Sequence, residues 1–239
     1  MSEVAPPSRT VPPQIIPRPA AARAGPPPPW AELAAPARAG LSLGRVGERL
    51  RGRLHATVPG RRESAVLAAL FEEAGESRIL LTRRAATLRS HRSEVSFPGG
   101  RLDEGESVVA AALREAWEEI GLDPASVEPI GMLGAMTTVS SNTLVHPVVG
   151  LLPGRPPLRP NPAEVELAFD VALADLLAPG VYHSEAWTFA GGPHTMHFFE
   201  LPADIVWGAT GRMVFELLGR VTATLGPGDL PSAEAAAEP

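Results

Sequence analysis

Neither cysteine nor lysine occurs among the 239 residues. Without thiols the chain can hold no disulfide, no thiolate nucleophile and no cysteine-based zinc site. Without an ε-amine it can form no Schiff base, and it lacks the lysine of a phosphate-binding P-loop. All 21 basic residues are arginine. Long apolar runs are missing as well: none approaches the roughly 18–20 residues that span a bilayer. No apolar core preceded by positive charge marks a secretory signal near residue 1. A cytoplasmic protein without a membrane partner is therefore expected.

What is present is uneven. Residues 1–62 carry ten arginines against three acids, whereas the rest carries 11 against 24. The acidic remainder excludes a broad nucleic-acid surface, which needs net positive charge. An acidic site that must meet an anionic substrate would need a divalent cation between them. Residues 1–29 hold ten prolines, ending in Pro26–Pro29. Such a stretch cannot build a core of its own and is expected to form a disordered tail. The polyproline run also has the composition of a ligand for an aromatic-lined groove. Residues 226–239, rich in Gly, Pro, Ala and Glu, read as a second tail. The domain is expected over 30–225.

Within it, strand and helix patterns alternate. Strands are expected over Glu63–Leu70, Ser77–Thr82, Glu94–Phe97, Val127–Met136, Leu144–Leu152 and Glu164–Phe169, with a turn at Ala74–Glu76. A hairpin is expected from Val181–Phe189 and His194–Leu201, a short helix over Val171–Leu177 and a last helix over Trp207–Thr222. The mixed order predicts one α/β domain, a sheet with helices on both faces.

The most informative segment is Ser107–Ile120, which has helical periodicity. Ser107 suits the N-cap and Gly121 the left-handed C-terminal position. Val109, Leu113, Ala116 and Ile120 form one stripe, and Glu115, Glu118 and Glu119 are expected roughly opposite it. Like charges at this spacing repel by about 0.2–0.5 kcal/mol per pair on an open helix. Such a cluster is either a solvated acidic face or a set of hard oxygen ligands for Mg²⁺ or Mn²⁺. Phe97-Pro98-Gly99-Gly100 just before it permits close backbone approach.

The stretch GRLDEGESVVAAALREAWEEIGL, Gly100 to Leu122, resembles the signature of the Nudix hydrolase superfamily. Gly100, Glu106, Arg114, Glu115, Glu118, Glu119, Gly121 and Leu122 fit its spacing, and Ala116 takes a slot where larger aliphatics are commoner. The resemblance implies an α/β/α sandwich with a mixed β-sheet and a Mg²⁺- or Mn²⁺-dependent hydrolase. It implies that Glu115, Glu118, Glu119 and the Gly99 carbonyl bind metal, and that Glu106 and Arg114 brace the loop and helix. It also implies a carboxylate from a distant loop that completes the site or acts as base. Glu164 is the candidate for that role, with Glu118 as the other.

Ahead of this lies LLTRRAATLRSHRSEVSFPGG, Leu80 to Gly100, where Arg83, Arg84, Arg89, His91 and Arg92 cluster. A basic loop that balances the acidic helix is one reading; anion recognition by guanidinium groups is the other. The stretch is similar to the signature of the coenzyme A pyrophosphatase branch, matching at Leu80, Leu81, Thr82, Arg84, Leu88, Arg89, His91 and Phe97–Gly100. Ala85 stands where that signature has Ser, and Ser93 where it has Gly. Asn161–Val165 and Trp207–Thr210 also look like this branch. The resemblance implies substrate contacts from Arg84, Arg89 and His91, and a nucleotide substrate of the coenzyme A class. A homodimer is left open as the assembly. The alternatives are a Nudix hydrolase of another nucleoside diphosphate derivative, such as ADP-ribose, and a Nudix-fold binding module without catalysis. An adaptor acting through Pro26–Pro29 is a third; deletion of residues 1–29 is expected to leave hydrolysis intact. His146, His183, His194 and His197 carry no metal spacing, and Ser140 and Ser141 have no His–Asp pattern beside them.

Overall fold

Alternation along Glu63–Glu73 (β2) sets the middle layer. Ala65, Leu67, Ala69 and Phe71 face one hydrophobic cluster, while Ala68 and Leu70 face another. A strand covered on both faces reads as an almost continuous apolar run, and this one is central. The computed structural model describes residues 14–52, 54, 62–88, 92–138, 142–189 and 192–226. The sequence expectations for residues 1–13 and 227–239 lie outside them, as do Ser140 and Ser141.

Ahead of β2 lie Arg23–Ala24 (β1), Ala35–Ala39 (α1) and Leu43–Leu50 (α2). After it come Glu76–Arg84 (β3), Val95–Ser96 (β4), Gly99–Arg101 (β5) and Val108–Ile120 (α3). Glu128–Met132 (β6), Met136–Thr137 (β7), Leu144–Leu151 (β8), Val165–Ala172 (β9) and Leu173–Leu176 (α4) follow. Tyr182–Phe189 (β10), Gly192–Glu200 (β11), Ile205–Val206 (β12) and Gly208–Val221 (α5) complete the order.

The large sheet is mixed: β2 runs parallel to β8 and antiparallel to β3 and β5, and β9 lies antiparallel on the far side of β3. Helix α3 covers one face, with Val108, Ala111, Ala112, Ala116 and Ile120 in its cluster. On the other face Val46 and Leu50 of α2 and the apolar side of α5 share a cluster with Trp30. The expected sandwich with helices on both faces is what forms.

The structure differs from the sequence expectations at four places. The strand expected over Val127–Met136 divides at Leu133–Ala135, because the Gly134 N–H turns to the Glu216 carboxylate at 2.9 Å. Its ladder is also irregular at Pro129, which has no N–H to give. The β10–β11 hairpin belongs to a second, antiparallel sheet in the order β1-β10-β11-β12. Helix α2, for which no element is expected, packs tightly because Gly47 sits against Leu151, 3.0 Å from where a Cβ would be.

The fourth concerns residues 14–29, expected as part of a disordered tail. They lie along the small sheet: Arg23 and Ala24 pair with Ala186 and Glu185, and the Ser184 hydroxyl donates to the Pro26 carbonyl at 2.8 Å. A segment too poor in apolar residues to build a core can still complete a sheet edge that another element provides.

Candidate metal and diphosphate site

The site starts with two glycines. β5 pairs with Ser64–Val66 so closely that a Cβ on Gly99 would strike the Ala65 carbonyl and the Val66 Cα. A Cβ on Gly100 would strike the Glu115 carboxylate. The absence of side chains at 99 and 100 is what lets α3 lay its acidic residues directly on the strand.

The helix is held at both ends. The Ser107 hydroxyl accepts from the Ala110 N–H at 3.2 Å, and Gly121 takes the left-handed conformation at φ 67°. Carbonyls left over at its C-terminus are satisfied by the chain that approaches β9. Arg159 N–H donates to the Ile120 carbonyl at 2.7 Å and Asn161 N–H to the Glu119 carbonyl at 2.8 Å. That chain carries Glu164, whose own carbonyl accepts from the Ala85 N–H at 2.8 Å. Helix capping thus brings the distant carboxylate to the site.

Arg114 links the loop to the helix. Its Nε and Nη2 each lie 2.9 Å from a Glu106 oxygen, a bidentate fork, and Nη2 also donates to the Arg101 carbonyl at 2.9 Å. Glu106 in turn accepts from the Asp103 N–H at 3.0 Å. Hydrogen bonds from Arg114 hold the Glu106 carboxyl below the usual range, and those carboxylates hold Arg114 above the usual arginine range. The same guanidinium reaches onward through Nη1 to Glu115 at 3.0 Å and Glu118 at 3.2 Å.

The expectation that all three glutamates lie opposite the packed stripe needs correction. The buried stripe runs through Val108, Ala111, Ala112, Ala116, Glu119 and Ile120, whereas Val109 and Leu113 are only partly covered. Glu119 is 2% exposed. Its Oε2 accepts from the Gly99 N–H at 3.2 Å, and its Oε1 lies 3.7 Å from Arg84 Nη1. Burial pushes its carboxyl up to about 7, and the charges of Glu115 and Glu164 add to the shift; the Gly99 N–H and Arg84 oppose it. Burial also raises Glu115, against the pull of Arg114, with Glu118 and Glu164 adding repulsion. Glu118 stands on the solvent side.

Among the described residues no three acidic or histidine side chains stand close enough together to enclose an ion outright. The donor set nonetheless fits a hard divalent cation. Glu115 and Glu119 are carboxylates held in a desolvated place that disfavours their charge, with further repulsion from neighbouring glutamates. A cation there would relieve burial and repulsion together. Gly99 meets Glu119 through its N–H, while the role expected for it uses its carbonyl oxygen.

Alternation along β3 separates the two adjacent arginines. Arg84 faces Glu119, and its Nε is buried without a hydrogen-bond partner among the described residues. Arg83 points to the other face, 2% exposed, and grips Asp204 with Nε at 2.8 Å and with Nη2. Arg83 therefore ties the two sheets together. Arg89 and His91 lie outside the described residues, and Arg92 donates to the Leu88 carbonyl. Of the histidines, His146 is buried with Nε2 2.8 Å from Glu63. His197 is buried against Phe215, with Nδ1 2.9 Å from the Tyr182 hydroxyl. Sequence reasoning misses Asp204 and Gln14, whose partners are 121 and 79 positions away; no local signal announces contacts of that range.

A model of the NUDIX domain matches residues 61–190. The uncharacterized Nudix hydrolase NudL of Photorhabdus laumondii is 40% identical over 144 residues, 60% of this chain and 76% of that protein. The NudL of Cronobacter sakazakii is 37% identical over 169 residues, 70% of this chain and 87% of that one. Among solved structures, RenU, a Nudix hydrolase from M. smegmatis, aligns with TM-score 0.49 at 18% identity, over 73% of this chain and 96% of that one. The acidic helix seated on two glycines thus lies inside the matched segment, and the chain belongs to the Nudix family of hydrolases.

Proposed function

We propose that the protein hydrolyses the pyrophosphate bond of coenzyme A or an acyl-coenzyme A, giving 3′,5′-ADP and 4′-phosphopantetheine or its acylated form. The observation that carries this reading is the meeting of four elements at one place: Glu115 and Glu119 on Gly99–Gly100, Glu164 brought in by the helix cap, and Arg84 facing them. The matches around Arg84, from Leu80 to Gly100, supply the coenzyme A preference.

Mg²⁺ or Mn²⁺ held by Glu115, Glu118, Glu119 and the Gly99 carbonyl, when bound, supplies positive charge that screens the diphosphate and makes water more acidic. The protein's own groups do the rest. Arg84, whose side chain is partly exposed beside Glu119, orients the diphosphate by charge-assisted hydrogen bonds. Arg89 and His91 extend the same basic segment. Arg114 and Glu106 keep the glutamates on the strand, so that no reorganisation is needed when charge develops. Glu164 or Glu118 takes the proton of the attacking water. The water oxygen bonds to one phosphorus, the bridging P–O bond breaks, and each product leaves as a phosphate monoester.

The test is a substrate panel with Mg²⁺ and with Mn²⁺, coenzyme A against ADP-ribose and dinucleoside polyphosphates, with Glu119→Gln as control. Hydrolysis of coenzyme A in preference to the others, abolished in the variant, is expected. A preference for ADP-ribose would move the enzyme to another nucleoside diphosphate derivative, the alternative that Ala85 and Ser93 leave open where the branch signature has Ser and Gly. Full activity of Glu119→Gln would remove the metal assignment.

A further inference from the structure

The Pro-rich segment plays no part in the chemistry above, yet its residue 14 reaches the hairpin that carries Arg84. Gln14 Nε2 donates to the Ser93 carbonyl at 2.9 Å, and Gln14 Oε1 accepts from the Ile205 N–H at 2.6 Å. One amide thus joins β12 of the small sheet to the β3–β4 connection of the large one. Ser93 is the residue that closes this connection on Arg84. Its N–H donates to the Arg84 carbonyl at 3.2 Å, and the Arg84 N–H donates to the Glu94 carbonyl at 3.0 Å. Ser93 is buried at φ 55°, a conformation that a residue other than glycine keeps only where its surroundings hold it. On the opposite side, the Ala85 N–H is fixed on the Glu164 carbonyl. Arg84 is therefore suspended between two backbone anchors, one on the Glu164 chain and one closed by Gln14.

The rest of the segment explains how Gln14 is delivered. β1 pairs with β10, and the Gly25 N–H donates to the Ser184 carbonyl at 2.8 Å. Arg18 lies 2.9 Å from Glu185, its guanidinium 5.5 Å from the Phe198 ring centre. Trp30 is buried among Tyr182, Phe199 and Phe215. Prolines along this path restrict φ and reduce the entropy lost when an extended arm is fixed.

We propose that Gln14 is a positioning residue for substrate binding: by holding the Ser93 carbonyl, it sets the direction in which Arg84 meets the diphosphate. The proposal rests on the diphosphate hydrolysis proposed above. It is tested in the full chain with Gln14→Ala and Gln14→Glu. The second keeps an acceptor for Ile205 but removes the donor to Ser93. Steady-state kinetics are measured on whichever diphosphate of the panel the wild type hydrolyses, and amide hydrogen exchange at Ser93 and Arg84, whose N–H groups close the connection, without substrate. Loss of one neutral hydrogen bond should raise KM about fivefold in both variants, leave kcat within about twofold, and speed exchange at both amides by about the same factor.

Unchanged KM in both variants overturns the proposal. So does a wild-type KM in Gln14→Glu alone, which would place the effect at Ile205, and so does a fall in kcat equal to that in kcat/KM. If the wild type hydrolyses no diphosphate, the functional reading fails by itself, and exchange decides about Gln14: faster exchange supports its hold on the hairpin, unchanged exchange overturns it.

Discussion

Replacing Gly100 with alanine adds one methyl group where the structure has already placed the Glu115 carboxylate. The backbone at Gly100 is not in the left-handed region, so alanine meets no conformational strain there. In a strand, alanine should even gain about 0.5 kcal/mol over glycine through reduced chain entropy. The obstacle is the far end of a flexible side chain, which can swing aside with little cost to the fold. Stability should therefore change by less than about 1 kcal/mol, or no more than about 4 °C in Tm for a domain of this size. The carboxylate, however, must move by about 1 Å, because a Cβ there would lie 2.3 Å from its nearest oxygen. A displacement of about 1 Å in a catalytic constellation costs on the order of a hundredfold in rate. Gly100→Ala should thus keep its Tm and lose about a hundredfold in kcat/KM, with a matching loss in Mn²⁺ affinity measured by calorimetry, which needs no knowledge of the substrate. Gly99→Ala is the contrast. Its Cβ meets backbone, the Ala65 carbonyl and the Val66 Cα, which cannot swing away. Overpacking of that kind costs about 1–3 kcal/mol, so both Tm and activity should fall. Should Gly100→Ala retain turnover and Mn²⁺ affinity within twofold, Glu115 would not be the ligand that its seat on the glycine suggests.

Ser93→Gly should stabilise the protein by about 0.5–1 kcal/mol, because a serine at φ 55° carries left-handed strain that glycine lacks; an unchanged urea midpoint would contradict this. The fold holds His197 neutral down to about pH 4, through burial first and the nearby Arg212 charge second, whereas unfolded imidazole protonates below about 6.5. The unfolded chain binds the extra proton in that window, so stability is full above pH 6.5 and falls with acid, by about 2 kcal/mol at pH 5. The environment that sets this slope includes Tyr182 and Phe215, with Arg212 in turn facing Glu216. In His197→Gln the slope between pH 6.5 and 4 should flatten, and an identical slope would assign the acid sensitivity elsewhere. Deletion of residues 1–29, expected from the sequence to leave hydrolysis intact, should lower stability by at least about 2 kcal/mol, because it removes the β1 pairing and the Ser184–Pro26 and Gly25–Ser184 hydrogen bonds. A truncated protein with wild-type Tm would return those residues to the status of a tail.

The acidic helix was the most legible part of the chain. Its signals are local: Ser107 and Gly121 mark its ends by backbone geometry that needs no tertiary partner, and both perform those roles. Which way it faces was not legible. A stripe counted from apolar residues alone assigns every glutamate to solvent, whereas Glu119 is buried because the Gly99 N–H and Arg84 meet it. Hydropathy cannot distinguish an exposed carboxylate from one that has partners elsewhere in the chain. Arg83 and Arg84 show the same limit. Period-two alternation says that they point apart, but only Asp204, 121 positions away, decides which of them serves the fold.

The N-terminal segment extends that argument from residues to whole stretches. Composition tests whether a segment can bury enough apolar surface to order itself, and residues 14–29 fail that test. They are ordered because the small sheet offers an open edge beside β10 and an aromatic face that includes Phe198, so the apolar surface belongs to the host and the segment contributes backbone pairing, Arg18 and Gln14. A proline-rich stretch suits this role, since its extended shape is set before it docks and few of its amides need partners. Because the ordering comes from the partner surface, it fails when that surface is altered: Phe198→Ser should loosen residues 14–24 as well as the β10–β11 hairpin. Limited tryptic proteolysis at Arg23, which is followed by Ala24, measures this. Cleavage at wild-type rates in Phe198→Ser would mean that the segment is held by its backbone pairing alone.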